Sequence, residues 1–598
     1  MPIRNFDRPI WFLVAMFSPK RLSSTRLIFA LGAAALISAV AVPSTLASTT
    51  QEALIQDNSV LEANPVGAMA TFEALGVTRV KITIYWNQFA PSPNSTKPPK
   101  GFNAANPASY PAKNWRWLDA AVAQAKLDGL KVGFQIDAPA PIWAAGAGYR
   151  AHPKLYQGSW NPSGTDLEGF VKALGTRYSG TYRPTKVSAP LPRVSWWTIW
   201  NEPNFGFSLQ PQSTDGGKIS SSAIEYRSLV RGAWAGLSAT GHRPSTDTIL
   251  IGETAPRGNG RTNSLNWSAY NPGVGAMTLP LIFMQQLYCV GQNGKPLTGN
   301  TAKEYSCPGS AAQFRAQNPG LFQSSGWAIH PYGQGTPPSE STYDCPVLNF
   351  CQSPNNKQHN PYFADFAAIP NVERVMDKLQ SDYGSHNKMQ LWDTEFGYWS
   401  VPPTKLNPKT QKGESINQTT AAYYMNWAEY LSYVNPRLMS FSQYQLQDPS
   451  NGQWGTGLET SRGAQKPGYD AFMVPFYMPT TKASHATTLT VWGAVRPAAL
   501  TLASSGLHQQ AEIQFLPAAG VSAAASGSGG GQSLSSGATG TGTGSTGGYT
   551  TLQTVKITNP RGYFDVKQAF TRSGSVRIAW TKPGGQSVYS RTQKITVG

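Results

Sequence analysis

The stretch Val194-Ser195-Trp196-Trp197-Thr198-Ile199-Trp200-Asn201-Glu202-Pro203-Asn204 reads as a strand that ends in a polar turn. β-Branched and aromatic residues run to Trp200, and then Asn201, Glu202 and Pro203 break the pattern. A short apolar run closed by turn residues is how a strand buried on both faces of a parallel sheet looks. Working outward, comparable runs precede it at Ala53 to Gln56, Arg79 to Tyr85 and Lys131 to Ile136. Others follow at Thr248 to Gly252, Gly326 to His330, Met389 to Asp393 and Leu438 to Tyr444. Helical patterns fill the gaps: Val66 to Leu75, Trp115 to Leu127 with Leu118, Val122 and Ala125 on one face, Asp166 to Tyr178, Ala223 to Ser238, Leu279 to Leu287, Val372 to Tyr383, Thr419 to Tyr433 and Pro467 to Phe476. Eight strands alternating with eight helices between residue 52 and about 478 predict an α/β fold, a (β/α)8 TIM barrel with long loops.

In such a barrel the side chains at the C-terminal ends of the strands line the functional face. Glu202 follows the fourth strand, and Trp392-Asp393-Thr394-Glu395-Phe396-Gly397 follows the seventh. Two glutamates far apart in sequence are therefore expected on one face. Splitting a glycosidic bond needs such a pair, one carboxylic acid to protonate the leaving oxygen and one carboxylate to attack or stabilise the sugar cation. Their environments must differ. Burial and the charge of an ionised Glu395 are expected to raise the pKa of Glu202 so that it keeps its proton. Retention of configuration further needs carboxyl groups about 5 to 5.5 Å apart, whereas inversion needs roughly 6.5 to 9.5 Å.

On the motifs Trp200 to Asn204 and Thr394 to Gly397, the segment from residue 50 to 478 resembles the glycoside hydrolases of clan A, the 4/7 superfamily of retaining TIM-barrel glycosidases that includes families 5 and 39. The resemblance implies Glu202 as general acid/base, Glu395 as nucleophile, and Asn201 as the partner of the sugar 2-hydroxyl. It implies that His330 or Tyr332, after strand six, faces the nucleophile or the substrate. It places Lys81 where many members carry an arginine that reaches the nucleophile, with Arg79 as the fallback. Lysine keeps the charge and loses the two-pronged donor. Aromatic residues near strand ends, Trp86, Trp143, Tyr398, Trp399 and Trp454, are candidates for stacking on sugar rings. Asp137 and Glu253 also follow strands and read equally as substrate contacts or loop anchors.

Beyond residue 482 the pattern changes to short strands with Gly/Pro turns, which predicts a β-sandwich over residues 483–598 after a barrel over 48–482. Residues 521–550, where 26 of 30 are Gly, Ser, Thr or Ala, read as a flexible insertion within it. Lys20, Arg21 and Arg26 precede the apolar run Leu27 to Val42, and small residues close at Ala47. That is the layout of a signal peptide over 1–47, too short to span a bilayer, which needs ~20 apolar residues. A secreted protein is the expectation, and the cysteines agree with an oxidising compartment. Four cysteines allow three pairings, of which Cys289 with Cys307 and Cys345 with Cys351 are favoured as local. No zinc spacing is present, and neither a metal nor a cofactor is expected.

With 40% hydrophobic residues and 18 Trp the chain is not disordered, and its 58 Gly and 46 Pro exclude a long coiled coil. The formal net charge is +18. It suits anionic wall polymers or acidic glycans as well as plain solubility. Carbohydrate is the expected partner, with no nucleic acid and no stable membrane insertion once the signal is cleaved. The competing reading is a glycan-binding or cell-wall protein that keeps a barrel cleft without catalysis.

Overall fold

A computed structural model describes residues 50–214, 219–258, 276–291, 293–333, 335–340, 361–402, 415–452, 454–485, 487–497, 506–518 and 548–598. The expected signal peptide, the Cys345 and Cys351 pair and most of the Gly/Ser/Thr-rich insertion lie outside these residues.

The eight strands are β1 (Glu52–Gln56), β2 (Arg79–Tyr85), β3 (Lys131–Asp137), β4 (Trp196–Ile199), β5 (Thr248–Thr254), β6 (Gly326–Ile329), β7 (Gln390–Asp393) and β8 (Ser440–Tyr444). They pair in parallel in the order β8-β1-β2-β3-β4-β5-β6-β7. Between β7 and β8 the Leu391 N–H donates to the Arg437 carbonyl and the Met439 N–H to the Leu391 carbonyl, both at 2.9 Å, which brings the ends of the sheet together. Each strand is followed by a helix: α1 (Pro65–Ala74), α2 (Ala112–Leu127), α3 (Gly164–Arg177), α4 (Ser221–Ala239), α5 (Pro280–Leu287), α6 (Ile369–Asp382), α7 (Gln418–Val434) and α8 (Pro467–Met473). The architecture is a (β/α)8 barrel.

Strand alternation explains why both strand faces are apolar. Leu54, Trp196, Leu250, Ala328 and Trp392 form one buried cluster inside the barrel. Their neighbours Ile55, Trp197, Ile251, Ile329 and Leu391 belong to the larger core under the helices. Helix α2 shows the matching stripe, with Trp115, Leu118, Ala121, Val122 and Ala125 buried. Helix α3 begins before Asp166 because the Ser163 side chain accepts the Asp166 N–H and caps the first turn. Three short helices between α5 and β6 (Gly299–Glu304, Ala311–Gln317 and Pro319–Gln323) escape a sequence reading, being too short to display a 3.6-residue period. The Cys289–Cys307 disulfide lies in this excursion.

The C-terminal part is all β, with strands β9 (Phe476–Tyr477), β10 (Lys482–Ala483), β11 (Thr488–Ala494), β12 (Gln510–Pro517), β13 (Thr550–Lys556), β14 (Tyr563–Ala569), β15 (Gly574–Thr581), β16 (Ser587–Tyr589) and β17 (Gln593–Val597). One sheet runs β9-β11-β14 and the other β10-β17-β15-β12-β13, with β16 on β15. The two sheets face one another closely: a Cβ on Gly493 of β11 would come within 2.3 Å of Ile578 of β15. Strand β9 joins the C-terminal sheet although it precedes residue 483. The stretch Ser587 to Val597 holds two strands, β16 and β17.

Candidate active site

The turn after β4 is held in a conformation that an ordinary strand exit would not adopt. Trp200 and Glu202 have φ of +69° and +39°, in a region that costs a non-glycine residue about 1 to 3 kcal/mol. Surrounding hydrogen bonds offset this. The Trp200 N–H donates to Ile136 of β3 at 2.7 Å, and the Glu202 N–H donates to the Glu253 carbonyl at 2.9 Å. Asn204 fastens the turn to the exit of β5, accepting the Ala255 N–H at 2.9 Å and donating to the Thr278 carbonyl at 3.0 Å. The Glu253 backbone is itself at φ +48°. On the far side the Thr394 N–H donates to Ile329 of β6 at 3.1 Å and sets the exit of β7 that carries Glu395.

Glu202 and Glu395 meet at the same point. An oxygen of each carboxylate and a ring nitrogen of His330 all lie within 4.8 Å of one another. His330, fully buried at the end of β6, directs Nδ1–H between the two acids, 3.1 Å from Glu202 Oε1 and 3.0 Å from Glu395 Oε2. Its Nε2–H donates to Glu253 Oε2 at 2.6 Å. Glu253 also accepts from Lys81 Nζ at 2.8 Å and from Gln135 Nε2 at 2.9 Å. A relay of neutral groups continues sideways. Gln56 Nε2 donates to Thr83 Oγ1, which donates to Gln135 Oε1, each at 3.0 Å. Gln135 Nε2 also donates to Asn201 Oδ1 at 3.1 Å, which leaves the Asn201 amide N–H groups to face the cleft.

The charges sort themselves. Burial opposes ionisation of Glu253, but Lys81 and His330 together pull its pKa down to about 2. Burial likewise disfavours a charged His330, yet Glu395, Glu202 and Glu253 raise its pKa well above the ordinary value, so it is an imidazolium. Burial and the Glu253 charge work against the Glu395 anion and are outweighed by His330 and Lys81, so its pKa falls below the usual carboxylate value. Burial raises the pKa of Glu202, with Glu395 adding to the rise against the pull of His330 and Arg257. One carboxyl of the pair thus favours its proton and the other its charge. The trio Glu202, His330 and Glu395 also has the spacing of a cation site. A doubly protonated imidazole, however, has no lone pair to offer a metal.

Two chambers open on Glu202. The larger, about 350 Å³, is the more polar of the two: Gln56, Thr83, Gln135, Asp137, Asn201, Tyr444 and Glu395 line it beside apolar residues such as Pro139, Leu155 and Phe207. The smaller, about 190 Å³, is lined by Phe205, Phe207, Pro256, Met277, Trp399, Trp454, Tyr332, Arg257 and Gly397. Glu202, Phe207 and Trp454 border both.

The residues expected at the site are distributed as follows. Glu202, Glu395, Asn201 and His330 come together, while Tyr332 and Trp399 line the smaller chamber. Lys81 is fully buried beneath the floor and bonds Glu253 and the Thr394 carbonyl, so it does not reach substrate, and its expected place at the nucleophile is corrected to one step below it. Arg79 lies deeper still, paired with Glu52 at the opposite end of the barrel. Trp86 is a core residue stacked on Phe170, and Trp143 packs on Trp86 and Phe102 with its indole N–H on the Pro91 carbonyl. Neither lines the chambers: Trp86 opens a short helix directly after β2, and Trp143 lies in a short 3-10 helix (Ile142–Ala144) after β3. Tyr398 is buried against Phe396. Asp137 borders the polar chamber, and Glu253 is the anchor of the floor. Gln135, Thr83, Tyr85 and Tyr444 escaped the sequence reading. Their inward position at two-residue spacing on strands was the available signal.

No family model matches the sequence, and no curated protein matches it either. Solved structures similar in fold include a family 39 glycoside hydrolase from the gut symbiont Bacteroides cellulosilyticus WH2, at 14% identity and TM-score 0.42, covering 78% of this chain and 75% of that one. A β-glucosidase from Thermotoga maritima in complex with glucoimidazole aligns at 12% identity and TM-score 0.39, over 69% of this chain and 86% of that one. An endo-β-1,4-mannanase from Thermotoga petrophila aligns at 10% identity and TM-score 0.35, over 92% and 98%. At TM-scores below 0.5, none of these three likenesses bears on the reaction or the substrate of this chain.

Proposed function

We propose that this chain is a secreted retaining glycoside hydrolase of the clan A type. The observation that carries the reading is the Glu202 and Glu395 pair, with oxygens within 4.8 Å across a polar chamber and with pKa values displaced in opposite directions. That closeness supports direct attack over an intervening water. Glu395 attacks the anomeric carbon as Glu202 gives its proton to the glycosidic oxygen. The carbon–oxygen bond breaks with its electron pair on that oxygen, and an alcohol departs from a glycosyl ester on Glu395. In the second half Glu202 takes a proton from water, the hydroxyl joins the anomeric carbon, and Glu395 leaves as the carboxylate. Asn201, with its carbonyl held by Gln135, points donors at the sugar beside the reacting carbon. Imidazolium His330 steadies the Glu395 charge at rest.

Secretion is proposed on residues 20–47, and among the described residues no helix is long and apolar enough to cross a membrane. A poly- or oligosaccharide substrate is the broad reading. The test is a panel of glycosides and glycans with proton NMR of the first-formed anomer. Retained configuration is expected, with a loss of roughly 10²- to 10⁴-fold in kcat for Glu202→Gln and at least as large a loss for Glu395→Gln. Wild-type rates in both variants would end the assignment. On a glycoside whose acidic leaving group departs without a proton, azide should restore turnover to Glu202→Ala by attacking the glycosyl ester without needing a base.

A further inference from the structure

The two chambers differ in chemistry, and their order along a substrate follows from which glutamate each one holds. Glu395 borders only the polar chamber, so the sugar under attack sits there. Glu202, which protonates the bridging oxygen, borders both, so the departing group crosses it into the smaller chamber. That chamber presents Phe205, Phe207, Pro256, Met277, Trp399 and Trp454. Among the described residues its polar atoms come chiefly from Glu202, Arg257 and the Tyr332 hydroxyl, which is buried and has no hydrogen-bond partner among them. A flat apolar group would cover such walls over its whole area, whereas a sugar would cover them only with its C–H faces and find few polar partners for its hydroxyls among the described residues. Surface aromatics concentrate at the same place. Among the described residues, the Phe and Trp side chains that remain exposed are Phe207 at 38% and Trp454 at 45%, and both stand where the chambers meet.

Resting on the retaining reading, we infer that the leaving group of the natural substrate is an apolar alcohol, flat or aromatic, and not a second sugar. The smaller chamber is an aglycone site. Phe207 and Trp454 flank the bond being cut, Met277 and Phe205 take up the apolar body, and the Tyr332 hydroxyl meets a single polar group on it.

The experiment uses the full chain and has two arms. Glycosyl fluorides have no aglycone to place, so a panel of them reads only the polar chamber and the glutamates. A fluoride cleaved by wild type and not by Glu395→Gln identifies the sugar. If none is cleaved, the retaining reading fails and this inference falls with it. For the sugar so found, kcat/KM is compared for its 2-phenylethyl glycoside and its disaccharide. The phenylethyl compound is expected to win by at least about tenfold although its alkoxide is the poorer leaving group. Met277→Ser and Phe205→Ser should each lower that ratio by about tenfold. Fluoride cleavage with equal rates on the two glycosides, with preference for the disaccharide, or with a ratio that neither substitution moves, would overturn the aglycone site and leave the retaining reading in place.

Discussion

His330 places one positive charge between the two acids. Its proton faces Glu202 and Glu395 together, so it favours the anionic form of both. The working enzyme needs Glu395 ionised and Glu202 protonated, and the pair titrates as a unit. Activity should therefore fall on the acid side as Glu395 protonates, below its ordinary pKa of 4.5, and on the alkaline side as Glu202 loses its proton above that value. Replacing the cation with a neutral amide, His330→Gln, removes the pull on both acids. Both limbs of the kcat/KM profile should then move to higher pH, and limbs that stay at their wild-type positions would show that His330 only fills space. At this scale Glu202, Glu395 and Asn201 were legible because each follows a counted strand. Gln135 was not, since a neutral amide at an inward position gives no chemical signal until Glu253, Asn201 and Thr83 are seen around it.

Strand β2 shows why depth is harder to read than facing. Arg79, Lys81, Thr83 and Tyr85 alternate onto the barrel interior, so periodicity marks all four as inward. Their heights differ by two residues each, and each height is a different environment. Arg79 meets Glu52 at the closed end, Lys81 meets Glu253 under the floor, Thr83 joins the amide relay, and Tyr85 reaches the chamber. Glu52 is held against burial by Arg79 and Lys131 with a pKa of about 2, below its ordinary 4.5. A depressed carboxylate stabilises the fold above its unfolded pKa and loses that contribution as pH falls through the folded value, here on the order of 3 kcal/mol. Glu52→Gln should lower Tm at pH 7, and its difference from wild type should close between pH 4.5 and about 2. A gap of constant size across that range would mean that the charge of Glu52 is not what matters. The neighbouring Gly133 leaves no room for a side chain, since a Cβ there would sit 2.3 Å from the Trp196 ring.

In the whole molecule the C-terminal β part is built into the barrel wall. Helix α7 faces it with Tyr433, which packs with Tyr477, Trp492, Ala494 and Tyr563 in one buried cluster. Arg496 reaches from the end of β11 to the buried Glu429 of α7, and the Tyr563 hydroxyl donates to the same carboxylate at 2.8 Å. Arg591 adds a bond to Asn426 at 3.1 Å and lies over the Tyr423 ring. Removing one partner of a buried ion pair strands the other, so Arg496→Ala should cost about 3 to 5 kcal/mol in urea unfolding, with one transition for both parts. A loss below about 1 kcal/mol, as for an exposed pair, would show that the two parts are only loosely joined. The aromatic residues Trp492, Tyr563, Phe564 and Trp580 of the C-terminal part are all buried and belong to its core.

The sequence alone determined the order and number of the barrel elements, because strand and helix periods and their turn residues are local properties of the chain. It also determined that two glutamates share one face, since the C-terminal ends of parallel strands all open the same way. Only the tertiary structure decided that Glu253, a residue with an ambiguous reading, anchors the charge of His330 from below, and that Lys81 bonds Glu253 and acts on the nucleophile Glu395 only through its charge. Those roles depend on heights along neighbouring strands and on contacts across the barrel, as between Lys81 and Glu253, 172 residues apart in sequence. No local pattern encodes distances of that kind.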